Sequence, residues 1–68
     1  MNKTDKTYIN AIQNAATTTE LGDIVEAYLA EIGEVENARG ESYAETAARL
    51  GGNAVLEAAE ARWLEIEG

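Results

Sequence analysis

Leu21, Ile24, Val25, Tyr28, Leu29, Ile32 and Val35 recur at the spacing of one face of an α-helix. No other feature constrains the fold of this chain as tightly. Side chains alternate across a strand, so a stripe of this period has no consistent side in a sheet. Ahead of it, Thr17 and Glu20 fit a capping box, in which hydroxyl and carboxylate satisfy each other's orphan amides. Behind it, Arg39-Gly40 reads as a stop. The pattern predicts one helix reaching about Ala38, and the architecture is expected to be built around it.

Within the stripe, positions 21, 25, 28, 32 and 35 step by 4, 3, 4 and 3. That is a short heptad seam, suited to an antiparallel pair or a dimer interface. Gly22 and Gly33 interrupt it at a cost of about 1 kcal/mol each relative to Ala. Lying about 20° apart on one side of the helix, they are expected to let another helix approach the bare backbone. A kink or break at Gly33 is the alternative.

Three more segments read as helix. The first spans about Asp5 to Ala16 behind Thr4 as N-cap, with Tyr8, Ile9, Ile12, Ala15 and Ala16 at helical spacing. The third opens on a second capping box, Ser42-Tyr43-Ala44-Glu45, and ends at Gly51-Gly52. Its inner face carries Tyr43, Ala47 and Leu50, with Ala44 and Ala48 beside it. The fourth starts from Asn53 as N-cap and runs to about Ile66. There Val55, Leu56, Ala59, Trp63 and Ile66 share one side, with Leu64 nearly opposite. Tyr28, Tyr43 and Trp63 are the large anchors, expected in the core or at an interface. The fold class is all-α: a compact bundle of three to four short helices in one domain, residues 1–68.

At 68 residues such a bundle has few core positions to set against about 1.5 kcal/mol of ordering entropy per residue. The chain has no Cys and no His, so neither a disulfide nor a zinc site can staple it. Tight packing and association remain, either as a homodimer or with a partner that orders the chain. The same absences remove cysteine nucleophiles and the usual general base. Ser42 already serves as an N-cap, and no phosphate loop is present. No enzyme and no cofactor is expected. Glu34-x-Glu36 and Glu57-x-x-Glu60 bring carboxylates together but fit neither a calcium loop nor a di-iron site, so no metal is expected.

The net charge is −8, from 13 Asp and Glu against 5 Lys and Arg. Residues 1–19 carry Lys3, Lys6 and Asp5; the remaining acids, opposed only by Arg39, Arg49 and Arg62, all follow. Such a body repels nucleic acid and anionic membrane and is steered towards basic surfaces. Met1-Asn2-Lys3-Thr4-Asp5-Lys6-Thr7 has no apolar run, so the expectation is a cytoplasmic protein without a secretion signal or membrane partner.

With Glu20 set at 0°, the apolar residues of the long helix fall between about 40° and 180°, whereas Asp23, Glu26, Glu31 and Glu34 lie away from them. Amphipathicity requires polar residues there, not acidic ones. No Lys or Arg stands three or four residues from Glu20, Asp23, Glu26, Glu31 or Glu34, so like-charge neighbours each cost a few tenths of a kcal/mol. These five are the candidate partner-binding residues, provided the fold does not cover them with cations. A possible second surface comprises Glu57, Glu60, Trp63 and Leu64, where Arg62 can pair with Glu65 as on an ordinary charged helix.

The stretch from Ser42 to Leu56 resembles the first half of a helix-turn-helix unit, with small residues in the first helix and Leu50-Gly51 leading the turn. It departs at Gly52, where an apolar residue usually sits. Its second helix offers Glu57 and Glu60 with Arg62 as the only base, against the cations that base reading in a phosphate field requires. Direct DNA binding is not expected.

The function these features point to is inhibition by electrostatic occlusion. A rigid row of carboxylates occupies a Lys- and Arg-lined groove of a nucleic-acid-binding protein or complex, as a DNA or RNA mimic would. In type the chain is similar to the small acidic inhibitors that phages encode against host defences, anti-CRISPR proteins among them, which would place it in the host cytoplasm. The likeness is one of size, charge and helicity, and no motif carries it. The alternative is a regulatory homodimerisation or protein-interaction module, using the seam or Trp63 with Leu64.

Overall fold

The computed structural model describes residues 3–34 and 40–68. Four helices make up the bundle: α1 Lys3–Gln13, α2 Thr18–Ile32, α3 Tyr43–Arg49 and α4 Ala54–Glu67. Its radius of gyration is 10.8 Å, against about 11 Å for a globule of this length. The all-α bundle of short helices holds. Its hub, however, is α4 rather than α2: α4 packs against each of α1, α2 and α3. Val55 and Leu56 stand about 100° apart on that helix and both are fully buried, so α4 is covered on two sides, and Ala59 lets its neighbours come close.

Local chemistry sets most of the helix ends. At α3 the box is complete, with Ser42 Oγ accepting from the Glu45 amide (3.1 Å) and Glu45 Oε1 accepting from the Ser42 amide (3.0 Å). Thr17 Oγ1 accepts from the Glu20 amide at 3.1 Å. Asn53 Oδ1 accepts from the Leu56 amide at 3.0 Å, and its Nδ2 donates to Tyr28 Oη at 2.8 Å, so one residue both caps α4 and ties it to α2. Gly51 closes α3 with a positive φ of 82°, and the Gly51 and Gly52 amides return to Ala48 and Ala47.

Three expected boundaries are corrected. Thr4 lies inside α1, which already includes Lys3, so it is not an N-cap. The helix stops at Gln13, short of the expected Ala16, and the exposed Asn14 satisfies its end, its Nδ2 donating to the Asn10 carbonyl at 2.8 Å. More consequentially, α2 ends at Ile32, six residues before Ala38. Gly33 adopts φ 78°, and the Gly33 and Glu34 amides donate to the Ala30 and Leu29 carbonyls at 3.3 and 2.9 Å. This left-handed closure satisfies the terminal carbonyls, and a residue without Cβ adopts it at no steric cost. The break at Gly33 replaces the helix-approach reading. Val35, Glu36, Ala38 and Arg39 lie outside the described residues.

The core comprises Ile12 and Ala15, then Leu21, Val25, Tyr28 and Leu29 of α2, Ala47 of α3, and Val55, Leu56 and Ala59 of α4. Tyr28 meets Tyr8 edge-on, with ring centroids 5.2 Å apart. Two residues expected on the inner face are not enclosed. Ile32, the last residue of α2, is 40% exposed, and Trp63 is 37% exposed although Ile66, one turn further along α4, packs against the core. Tyr43 is half-buried.

Candidate electrostatic interface

Glu20, Asp23 and Glu26 form an i, i+3, i+6 row along α2, and all three are exposed. Successive members rise about 4.5 Å along the axis, comparable to the roughly 3.4 Å between charges on one nucleic-acid strand. Among the described residues no cation pairs with any of the three. Glu20 sits in the first turn, where the helix dipole favours an anion.

The other two members of the proposed ridge are placed differently. Glu31 remains on α2 and exposed, but its Oε2 accepts a hydrogen bond from Tyr8 Oη at 2.7 Å. That bond, then burial and the nearby negative charge, push the Tyr8 hydroxyl pKa above its ordinary value. Glu34 falls past the end of the helix and faces Arg49 Nη1 at 3.4 Å, which removes it from the row.

Arg49 chiefly serves Glu41. Its Nε donates to both Glu41 carboxylate oxygens at 3.1 Å, and its Nη2 donates to Oε1 at 2.9 Å. These bonds hold the Glu41 carboxyl below its usual pKa, against the opposing pull of desolvation, with the Arg49 charge and a bond from Thr46 adding to the effect. The same partners raise the Arg49 pKa, the Glu41 bonds most.

Arg62 is likewise held within the fold. Its Nε and Nη2 reach the Ala15 carbonyl, and its Nη1 lies 3.6 Å from Glu65. Lys3 and Lys6 lie on α1. The fold therefore covers Glu34, engages Glu31 through a neutral hydroxyl, and leaves the N-terminal half of the α2 row without a counter-cation among the described residues.

On the second surface, Glu57 Oε2 accepts from the Asn53 amide at 3.0 Å. Glu60 and Trp63 join Glu41, Ser42 and Tyr43 around a pocket of about 310 Å³. Leu64, 54% exposed, is not among the residues lining it. Tyr43 and Glu41 were absent from the sequence-based site. Helical spacing puts Tyr43 on the inner face of its segment, but only the packing of α3 on α4 brings it to the same pocket as Trp63. A Cβ added at Gly22 would lie 3.9 Å from Tyr43 Oη, so the hydroxyl of this pocket-lining residue reaches α2. Glu26 stands one turn beyond Gly22 on that side.

In the stretch from Ser42 to Leu56, α3 and α4 are in contact and joined through residues 50–53. Among the described residues no group of three carboxylates is gathered around a metal position, and no helix is long and apolar enough to cross a membrane. No protein-family model, curated protein or solved structure matches the chain.

Proposed function

We propose that this chain is a small acidic binding protein that occludes the basic surface of a nucleic-acid-binding protein or complex, acting as a nucleic-acid mimic of the phage anti-defence, anti-CRISPR type in the host cytoplasm. The observation that carries the reading is the exposed row Glu20, Asp23 and Glu26, without a cation partner among the described residues. Glu31 stands further along the same helix, exposed, and accepts the Tyr8 hydrogen bond. Mutual repulsion of like charges costs helix stability, and the cost is offset when a Lys- and Arg-lined groove supplies the missing cations. Charge complementarity of this kind accelerates encounter and makes the complex sensitive to salt.

Capture from host cells with the wild-type chain and with Asp23→Lys/Glu26→Lys tests this, followed by gel shifts of each captured protein on its nucleic acid. The expected result is a partner whose nucleic acid is displaced by the wild type and not by the double variant. A partner retained equally by both proteins, or one that keeps its nucleic acid when bound, contradicts the reading.

The second reading, a helical dimerisation or interaction module, draws support from the exposed Ile32, Trp63 and Leu64. Its mark is an assembly that sediments alike at low and high salt and is broken by Ile32→Asp.

A further inference from the structure

We propose that the pocket between α3 and α4 is the seat of a cationic side chain, arginine in preference to lysine, supplied by the polypeptide partner. This deepens the proposed function, on which it rests for the basic character of the partner.

The walls make the selection. Tyr43 and Trp63 contribute aromatic rings, and Glu41 and Glu60 contribute carboxylates, around about 310 Å³. The two acids are not equivalent. Glu41 is bound by the Arg49 guanidinium, so most of its charge is already answered. Glu60 has no ion pair among the described residues and is half-buried.

An apolar occupant would strip water from Glu60 without replacing it, which is costly for a charge. An anion would be repelled. A cation instead gains the attraction of the ring faces and of the Glu60 carboxylate together. Guanidinium suits the site better than ammonium because it is planar, stacks on aromatic rings and is less strongly hydrated. The negative field is already felt at the wall: burial, and after it the Glu60 charge, raise the Tyr43 hydroxyl pKa. Position adds to the case. Tyr43 Oη lies over Gly22 of α2, so one basic segment can seat a side chain here and run on past Glu26 and Asp23.

Trp63 is the only tryptophan in the chain, so its fluorescence reports occupancy directly. The probes are a Gly-Arg-Gly repeat peptide and its lysine counterpart, titrated at low salt with binding followed in parallel by calorimetry. The arginine peptide is expected to change Trp63 emission saturably and to bind more tightly than the lysine peptide. Glu60→Gln is expected to weaken arginine-peptide binding about tenfold, while circular dichroism confirms that the variant remains helical. In wild-type protein the same titration is expected to shift the Trp63 indole N–H resonance in NMR spectra, which requires no variant.

Calorimetric binding that leaves Trp63 emission and its indole resonance unmoved overturns the pocket and leaves the α2 row standing. So does a folded Glu60→Gln protein that binds as the wild type does. A wild-type protein that binds neither peptide also overturns the pocket. If Asp23→Lys/Glu26→Lys binds as tightly as wild type while the Trp63 response persists, the row fails and the pocket stands.

Discussion

Arg62 donates from Nε at 3.0 Å and from Nη2 at 2.8 Å to the carbonyl oxygen of Ala15, a residue 47 positions away and buried at the turn between α1 and α2. The bond fastens the α1–α2 turn onto the hub helix and satisfies a backbone oxygen that the end of α1 leaves without an intrahelical donor. It also turns one of the chain's few cations inward. Arg62→Ala is expected to cost about 2 kcal/mol, as for a hydrogen bond from a charged donor. For a domain of this size that lowers the melting midpoint by about 10 °C. Arg62→Lys, which lacks the two-pronged geometry, is expected to fall between. Thermal denaturation followed by circular dichroism reads all three, and an Arg62→Ala protein that melts with the wild type would refute the role.

Asn53 caps α4 and also donates to the buried Tyr28 hydroxyl, whereas Ser42 caps α3 alone. Loss of a cap costs about 1 kcal/mol, and loss of the Tyr28 bond adds about another 1. Asn53→Ala is therefore expected to lose about twice the stability that Ser42→Ala loses in urea titrations. Equal losses would mean that the Asn53–Tyr28 bond contributes nothing.

The two glycines of the α2 stripe are expected to respond in opposite directions. Gly22 lies inside α2, and an added Cβ would meet only Tyr43 Oη at 3.9 Å, an ordinary contact. Gly22→Ala should stabilise by about 0.5–1 kcal/mol through helix propensity. Gly33 holds φ at 78°, where a side chain costs about 1–2 kcal/mol, so Gly33→Ala should destabilise. Chemical denaturation of the two variants checks the pair: a Gly33→Ala protein at least as stable as wild type would show that Gly33 is not confined to its left-handed conformation, and a destabilised Gly22→Ala would refute the open contact at Gly22.

That contrast marks how far the sequence was legible. The Ser42–Glu45 box, the Asn53 cap and the Gly51 stop depend on bonds spanning three to five residues, and their residue types announce them. A glycine inside a helix and a glycine ending one look alike on a periodic pattern, so Ile32 and Val35 carried the expected helix past the point where the Glu34 amide turns back to Leu29. The candidate site divides in the same way. Glu20, Asp23 and Glu26 share a face by helix geometry alone, and the local sequence locates them. Glu34 was expected on that face, but Arg49, 15 positions on, reaches it only through tertiary packing. The Tyr43–Trp63 pocket was hidden for the same reason, since the docking of α3 on α4 creates it. Trp63 has the periodicity of a core residue, yet it is 37% exposed and lines the pocket instead.

Acid should remove the contribution of the Glu41–Arg49 pair. The folded-state pKa of Glu41 lies below the usual 4.5, so ionisation of Glu41 favours the folded state above that ordinary value. This contribution disappears as pH falls through the lowered folded-state value. Glu41→Gln is therefore expected to be less stable than wild type at neutral pH, with the gap closing in acid below the ordinary carboxylate range. Melting curves across that range test it, and a gap that persists unchanged into strong acid would contradict the pairing.

The central claim, that the carboxylates of the α2 row hold a basic partner surface, is tested most directly by the salt dependence of the dissociation constant for the captured nucleic-acid-binding partner. It should be measured with the wild type and with Asp23→Lys/Glu26→Lys. The account predicts wild-type affinity falling steeply and linearly on a log–log plot against salt. The reversed protein, still helical, should bind at least about 100-fold more weakly at low salt, with a shallower slope. Equal affinities and equal slopes for the two proteins would contradict it.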